Sequence, residues 1–215
     1  MRPMPVPAGE RTAARKPGRP RSEEADTTIL DATLHLLVET MSVDKLSMEA
    51  LAVRAGVSKT TVYRRWSNKI DLIVDALRTL QPARIEDLPG TSVRADLVAA
   101  LVTLQRFRDR SQAGRLFLLV LAEAGRHPAL YRQYFEQIVR PRREQIREIL
   151  QRGVANGQVR PDADIDAVLL CLSALQTRTK LDATAMTRTL VERTVDVIMD
   201  GIAPDRATRS PGHGR

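Results

Sequence analysis

The chain has 215 residues, 43% of them hydrophobic and only 3% aromatic, and carries a formal charge of +8 at pH 7. That length fits one or two compact units and that apolar content fills a sizeable core, which excludes a chain disordered throughout. A lone Cys171 excludes an internal disulfide, and neither a secretory start nor a membrane-length apolar run is visible, so the sequence reads as cytoplasmic with no membrane partner.

The positive charge is unevenly placed. Residues 1–22 hold Arg2, Arg11, Arg15, Lys16, Arg19 and Arg21 against Glu10, a net +5, and residues 203–215 contribute a further +2. The body between them is left with +1, so any polyanion must be met by the arm and by a local patch. From 1 to 21 the chain is rich in Pro, Gly, Arg and Ala without apolar period, the composition of a disordered basic arm.

A first helix is expected from Ser22, a candidate N-cap followed by Glu23, Glu24 and Asp26, to about Thr40. Its apolar stripe is Ile29, Leu30, Leu34, Leu37 and Val38. Ser47 opens a short second helix with Met48, Leu51 and Ala52 facing inward, and Gly56 ends it. Ser58 caps a third helix, and Ser67 or Asn68 caps a fourth that Pro82 stops. Further helical segments are expected near 92–109, 112–126, 128–156, 163–181 and 184–202, separated by Gly, Pro and Asp in turn positions. Pro141 should kink or divide the segment 128–156. The expectation is an all-α protein: a basic arm over 1–21, a small unit over 22–80, a larger helical body over 81–203 and a disordered tail over 204–215.

The second and third helices carry the most specific pattern. Small Ala52 allows two helices to cross closely, Gly56 accepts a positive φ in the turn, and Val62 packs the third helix onto the second, which is the logic of a helix-turn-helix. Val62 and Trp66 share the inner face of the third helix, whereas Lys59, Thr60, Tyr63 and Arg64 share the outer one. Solvation of a surface helix accounts for those polar residues, but not for the upstream Ala52, Gly56 and Val62 spacing. A helix docked in a major groove needs such donors, and Ser47, Ser58, Lys59, Thr60, Thr61, Tyr63 and Arg64 are therefore candidate DNA contacts.

The run SMEALAVRAGVSKTTVYRRWSNKIDLIVDAL resembles the DNA-binding signature of the TetR family of transcriptional regulators, closely over about Ile29 to Leu77 and loosely beyond. The resemblance implies about nine helices, dimeric DNA binding, and a variable carboxy-terminal domain that takes a small-molecule effector. It further implies that the Thr61 and Tyr63 hydroxyls and Lys69 hold phosphates, that Lys59, Thr60 and Arg64 lie where bases are read, and that the last two helices form the homodimer interface. Trp66 fills the family's aromatic position, assigned here to packing. One departure is the loop ETMSVDKLS, where Met41, Ser42 and Val43 stand in place of the usual glycine and aromatic, so the first helix must close differently.

The arm's KPGRPR, from Lys16 to Arg21, resembles an AT-hook, in which Arg19 and Arg21 would enter a narrow A·T-rich minor groove. A basic tail adding only non-specific, salt-sensitive affinity reads equally well. In the body, Phe107, Phe117, Leu121, Tyr131, Tyr134 and Phe135 could line an effector pocket or simply fill the core. Leu172, Leu175, Leu190, Val191, Thr194, Val197 and Ile198 are expected at the dimer interface, because the last helix has apolar residues on two faces. Cys171 is expected to be a small buried core residue.

Three histidines, His35, His127 and His213, show no metal-ligand spacing, and no phosphate-cradling loop or nucleophile elbow is present. No catalytic residue, metal or cofactor is therefore expected. The resulting expectation is a ligand-responsive, homodimeric DNA-binding regulator, a repressor of a palindromic operator by resemblance. The alternative is a small-molecule-binding helical protein without operator-specific DNA binding.

Overall fold

A computed structural model describes residues 21–80, 85, 88–110, 112–181 and 186–204, with side chains for all of these but 21, 22, 107–110 and 179–181. The arm, the tail and Arg19 lie outside the described residues, as do the side chains of Arg21 and Phe107. Every regular element among the described residues is helical: α1 Arg21–Thr40, α2 Met48–Arg54, α3 Lys59–Arg65, α4 Lys69–Thr79, α5 Val93–Arg110, α6 Ala113–Ala122, α7 Pro128–Tyr134, α8 Arg140–Ala155, α9 Ile165–Leu181 and α10 Arg188–Ile202. A π-turn over Phe135–Val139 joins α7 to α8, so α7, the π-turn and α8 run as one continuous but widened helix. Counted so, the described helices number nine.

Local chemistry explains the boundaries. Ser47, Ser58 and Asn68 adopt extended backbone and accept the N–H of Ala50, Thr61 and Asp71 respectively, capping α2, α3 and α4. Gly56, at φ 65°, ends α2 in a Schellman turn: Val57 N–H donates to Ala52 O at 3.0 Å and Gly56 N–H to Val53 O at 3.2 Å. Arg21 is already helical, so Ser22 lies inside the first turn of α1 and does not cap it. The widened turn answers Pro141, which lacks an N–H and crowds the preceding carbonyls. Arg140 N–H donates to Phe135 O, one residue further back than in an α-helix, so the proline is absorbed without breaking the helix.

The unusual loop after α1 is closed by Met41. Its N–H donates to Leu37 O at 2.8 Å while its backbone sits at φ 45°, the left-handed C-terminal cap that glycine normally occupies. An L side chain there costs about 1–2 kcal/mol, and Met41 is exposed, so its side chain returns little. Met41→Gly should raise stability by about 0.5–1 kcal/mol once glycine's extra freedom in the unfolded chain is subtracted. An unchanged or lowered urea midpoint would show that the methionine is not strained.

Three apolar cores organise the chain. Ile29, Leu51, Val62, Trp66 and Leu72 hold α1 to α4 together as a small head. Leu97, Leu101, Ile149, Leu150, Leu169 and Val195 hold α5, α8, α9 and α10. The third core is shared: Leu34, Leu37, Ile73 and Leu77 of α1 and α4 interdigitate with Leu116, Leu119, Leu130 and Tyr134 of α6 and α7. Head and body therefore do not hang on a bare linker, and a shift of α6 or α7 must be felt by α1 and α4.

Candidate nucleic-acid interface and effector cavity

The α3 helix is short and owes its orientation to two buried anchors. Val62 is fully buried, and Trp66, 7% exposed, donates its indole N–H to Asp75 Oδ2 at 2.9 Å, tying the end of α3 to α4. Arg65 is pinned inward by an ion pair with Asp26 of α1 and a bond to Thr61 O. Glu39 and Arg54 clamp α1 to α2 through paired hydrogen bonds of 2.7 and 2.5 Å. With those groups committed, the outward face of α3 is left to Lys59, Thr60, Tyr63 and Arg64, all exposed.

These side chains differ in readiness. Arg64 forms no ion pair among the described residues, so its planar fork is available for bidentate recognition. Lys59 is paired with Glu49 and lies 5.6 Å from the centre of the Tyr63 ring. That hydrogen-bonded pair holds the Glu49 carboxyl below its ordinary value and the Lys59 ammonium above its own. Lys59 must leave Glu49 before it can serve a phosphate or base. Thr61, half-buried, shares a 2.8 Å hydroxyl contact with Ser58 Oγ inside the α3 cap, and Ser47 performs the equivalent capping for α2. Lys69 donates to Val43 O at 2.9 Å, bracing the loop after α1. Sequence reasoning missed the Lys59–Glu49 pair and the Lys69 brace, because neither spacing marks a contact across two helices.

In the body, a cavity of about 90 Å³ lies beneath the π-turn, bounded by Leu104, Phe117, Tyr134, Ile146 and Leu172 with Arg142, Arg143, Ser173 and Gln176. Of the side chains expected around an effector, Phe117 and Tyr134 line it, with ring centres 6.4 Å apart. Leu121, Tyr131 and Phe135 do not. Tyr131 is exposed and pairs with Phe135 at 6.5 Å, and Arg143 lies over the Phe135 ring. The widened turn carries Val139, also on the wall, so the proline's accommodation and the cavity share one piece of backbone.

Two expectations at the far end of the body need correction. Leu172 and Val191, 1% and 0% exposed, are buried in the chain's own core, because α9 and α10 both need their inner stripes to cover α5 and α8. Leu175 and Ile198 are half-buried against the same core. Leu190, Thr194 and Val197 instead line a shallow outward groove on α10, and Val197 is 72% exposed. Cys171 is exposed, not buried, beside Leu170 on the outer face of α9.

Residues 29–76 match the model for bacterial regulatory proteins of the tetR family, and residues 89–198 match the tetracyclin repressor-like C-terminal domain. The chain belongs to the TetR family. This TetR-family chain is 33% identical over 153 residues, 70% of its own length and 75% of the relative's, to an uncharacterized HTH-type transcriptional regulator, YdeS, of Bacillus subtilis. It is 30% identical over 188 residues, 87% of its length and 90% of the relative's, to the uncharacterized HTH-type regulator Mb1581 of Mycobacterium bovis. Among solved structures it resembles the TetR-family regulator SCO0332 with a TM-score of 0.61 and 27% identity, covering 84% of this chain and all of that one. It is thus a DNA-binding transcriptional regulator built on a helix-turn-helix. No described helix is long and apolar enough to cross a membrane.

Proposed function

We propose that the chain is a ligand-responsive repressor that acts in the cytoplasm, binds a palindromic operator as a homodimer and lets go when a small molecule occupies the body. The observation that carries this reading is the shared core, in which α6 and α7, next to the cavity, grip α1 and α4, which carry the reading helix. A cavity of about 90 Å³ is far below the roughly 300–1,000 Å³ of a drug-sized site. An effector must therefore widen it, and the π-turn and α6 are the walls that yield. Arg142, Arg143 and Gln176 beside Phe117 and Tyr134 favour a partly aromatic molecule with an anionic group. The homodimer is supported by the outward apolar side chains Leu170, Leu190 and Val197 on α9 and α10, which a second copy would cover. Such a dimer places two α3 helices in successive major grooves about 34 Å apart.

Release requires discrimination between two states: moving an operator from 1:99 to 99:1 takes about 5.5 kcal/mol of differential binding. The test is a screen for compounds that raise the melting temperature, followed by operator titration at saturation. A stabilising compound that leaves operator affinity unchanged would overturn release by ligand. On the head, Tyr63→Phe should weaken operator and random duplex alike, as the loss of one phosphate contact does. Paired salt-matched titrations check it, and a loss confined to the operator would make Tyr63 a base reader instead.

A further inference from the structure

Away from both the reading helix and the cavity, three potential ligands converge where head meets body. Asp44 lies in the loop between α1 and α2, Glu123 ends α6, and His127 precedes α7. One donor atom from each lies within 4.8 Å of the others. His127 Nε2 is 3.0 Å from Asp44 Oδ1 and 3.7 Å from Glu123 Oε2.

These groups are ill-suited to being a simple ion pair. Glu123 is 6% exposed, yet its Oε2 has no hydrogen-bond partner, and neither does the buried His127 Nε2 despite its closeness to Asp44. An imidazole nitrogen can carry one proton toward one oxygen, so a second, buried carboxylate is left over, and such an orphan is costly. Among the described residues, Arg126 approaches Asp44 Oδ2 only to 3.9 Å and is itself mostly exposed. The only ion-pair contact to Glu123 among the described residues is the 3.7 Å approach of His127, too long for a hydrogen bond.

We propose that Asp44, Glu123 and His127 form a binding site for a divalent transition metal of the zinc class. Metal bonds of about 2.0–2.2 Å to nitrogen and oxygen set tetrahedral ligand edges of roughly 3.3–3.6 Å, and the two observed separations straddle that range. Two carboxylates and a neutral imidazole balance the ion's charge, and the imidazole favours zinc-class ions over magnesium or calcium, which take oxygen ligands. Asp44 is about half exposed, which provides access and room for water in a fourth position. The metal would pin the α6–α7 turn to the loop after α1. That loop is the one Lys69 braces through Val43 O, and Gln133 of α7 reaches Asp71 of α4 at 3.0 Å on the same side.

The test uses the full chain, stripped with chelator and titrated with Zn2+ by calorimetry, with melting followed in parallel. One Zn2+ per chain and a raised melting temperature are expected, both persisting in excess Mg2+. Asp44→Asn, Glu123→Gln and His127→Gln should each weaken Zn2+ by more than about tenfold and abolish the thermal shift, whereas Cys171→Ser should do neither. If Glu123→Gln fails to fold, Asp44→Asn in the exposed loop still decides. Absence of binding, binding that survives Asp44→Asn, or equal binding of Mg2+ would overturn the proposal.

Discussion

Arg64→Ala is expected to weaken binding to the selected operator by about 1–3 kcal/mol while leaving affinity for random duplex much closer to wild type. The reason lies in what its neighbours are doing. Arg65 is turned inward to Asp26, and Lys59 is held by Glu49. Arg64 therefore faces outward with no ion pair to break among the described residues, and a guanidinium that reaches a guanine's O6 and N7 supplies direction as well as charge. A phosphate-only role predicts a different pattern: equal losses on both DNAs and a shallower salt dependence, by about one ion. Side-by-side titrations of Arg64→Ala on operator and on random duplex at several salt concentrations separate the two. Arg64→Lys is informative too, because it keeps the charge and loses the fork. It should behave like Arg64→Ala on the operator if the arginine reads a base.

Trp66→Ala is expected to cost about 3–5 kcal/mol of folding stability, a large share of the 5–15 kcal/mol that holds a typical domain. Trp66 is 7% exposed and packs among Ile29, Leu51, Val62 and Leu72, so its removal opens a void at the centre of the head. It also strips Asp75 of the indole donor at 2.9 Å, leaving that carboxylate to Arg78. Trp66→Phe keeps most of the volume and loses the hydrogen bond, so about 1–2 kcal/mol is expected instead. Urea unfolding followed by circular dichroism measures both. Should Trp66→Ala keep full stability while losing DNA affinity, the residue would be a DNA contact and its assignment to packing wrong.

The parts of this molecule that could be read from the sequence are those whose signals are local. Ser47, Ser58 and Gly56 announce caps and a turn through their own backbone chemistry, and Val62 and Trp66 announce an inner face by lying one turn apart. Pro141 marked where the long helix would be disturbed, but the form of the disturbance, a widened turn closed by Arg140 N–H on Phe135 O and not a break, is a choice that the proline alone does not make. What escaped reading depends on which side of an element meets the rest of the chain. Leu172 lies on the stripe of α9 with Val168 and Leu169 and is buried, whereas Leu170 lies off it and is 65% exposed, but α9 alone does not say whether that stripe meets the chain's own core or a second copy. The same holds for Cys171. Asp44, Glu123 and His127 are the extreme case: they are separated by up to 83 positions and form no spaced motif, so only the docking of α6 and α7 on the head brings them together.

The most direct test of the account is selection of bound sites from random duplex DNA, run with the full chain and with residues 1–20 removed, a truncation that leaves α1 whole. A dimeric reading head predicts one palindrome common to both pools, its half-sites one helical turn or a multiple apart. A·T-rich flanks enriched only by the full chain would add the arm as a minor-groove reader. A single unpaired half-site, or no enriched sequence in either pool, would contradict a dimeric reading head.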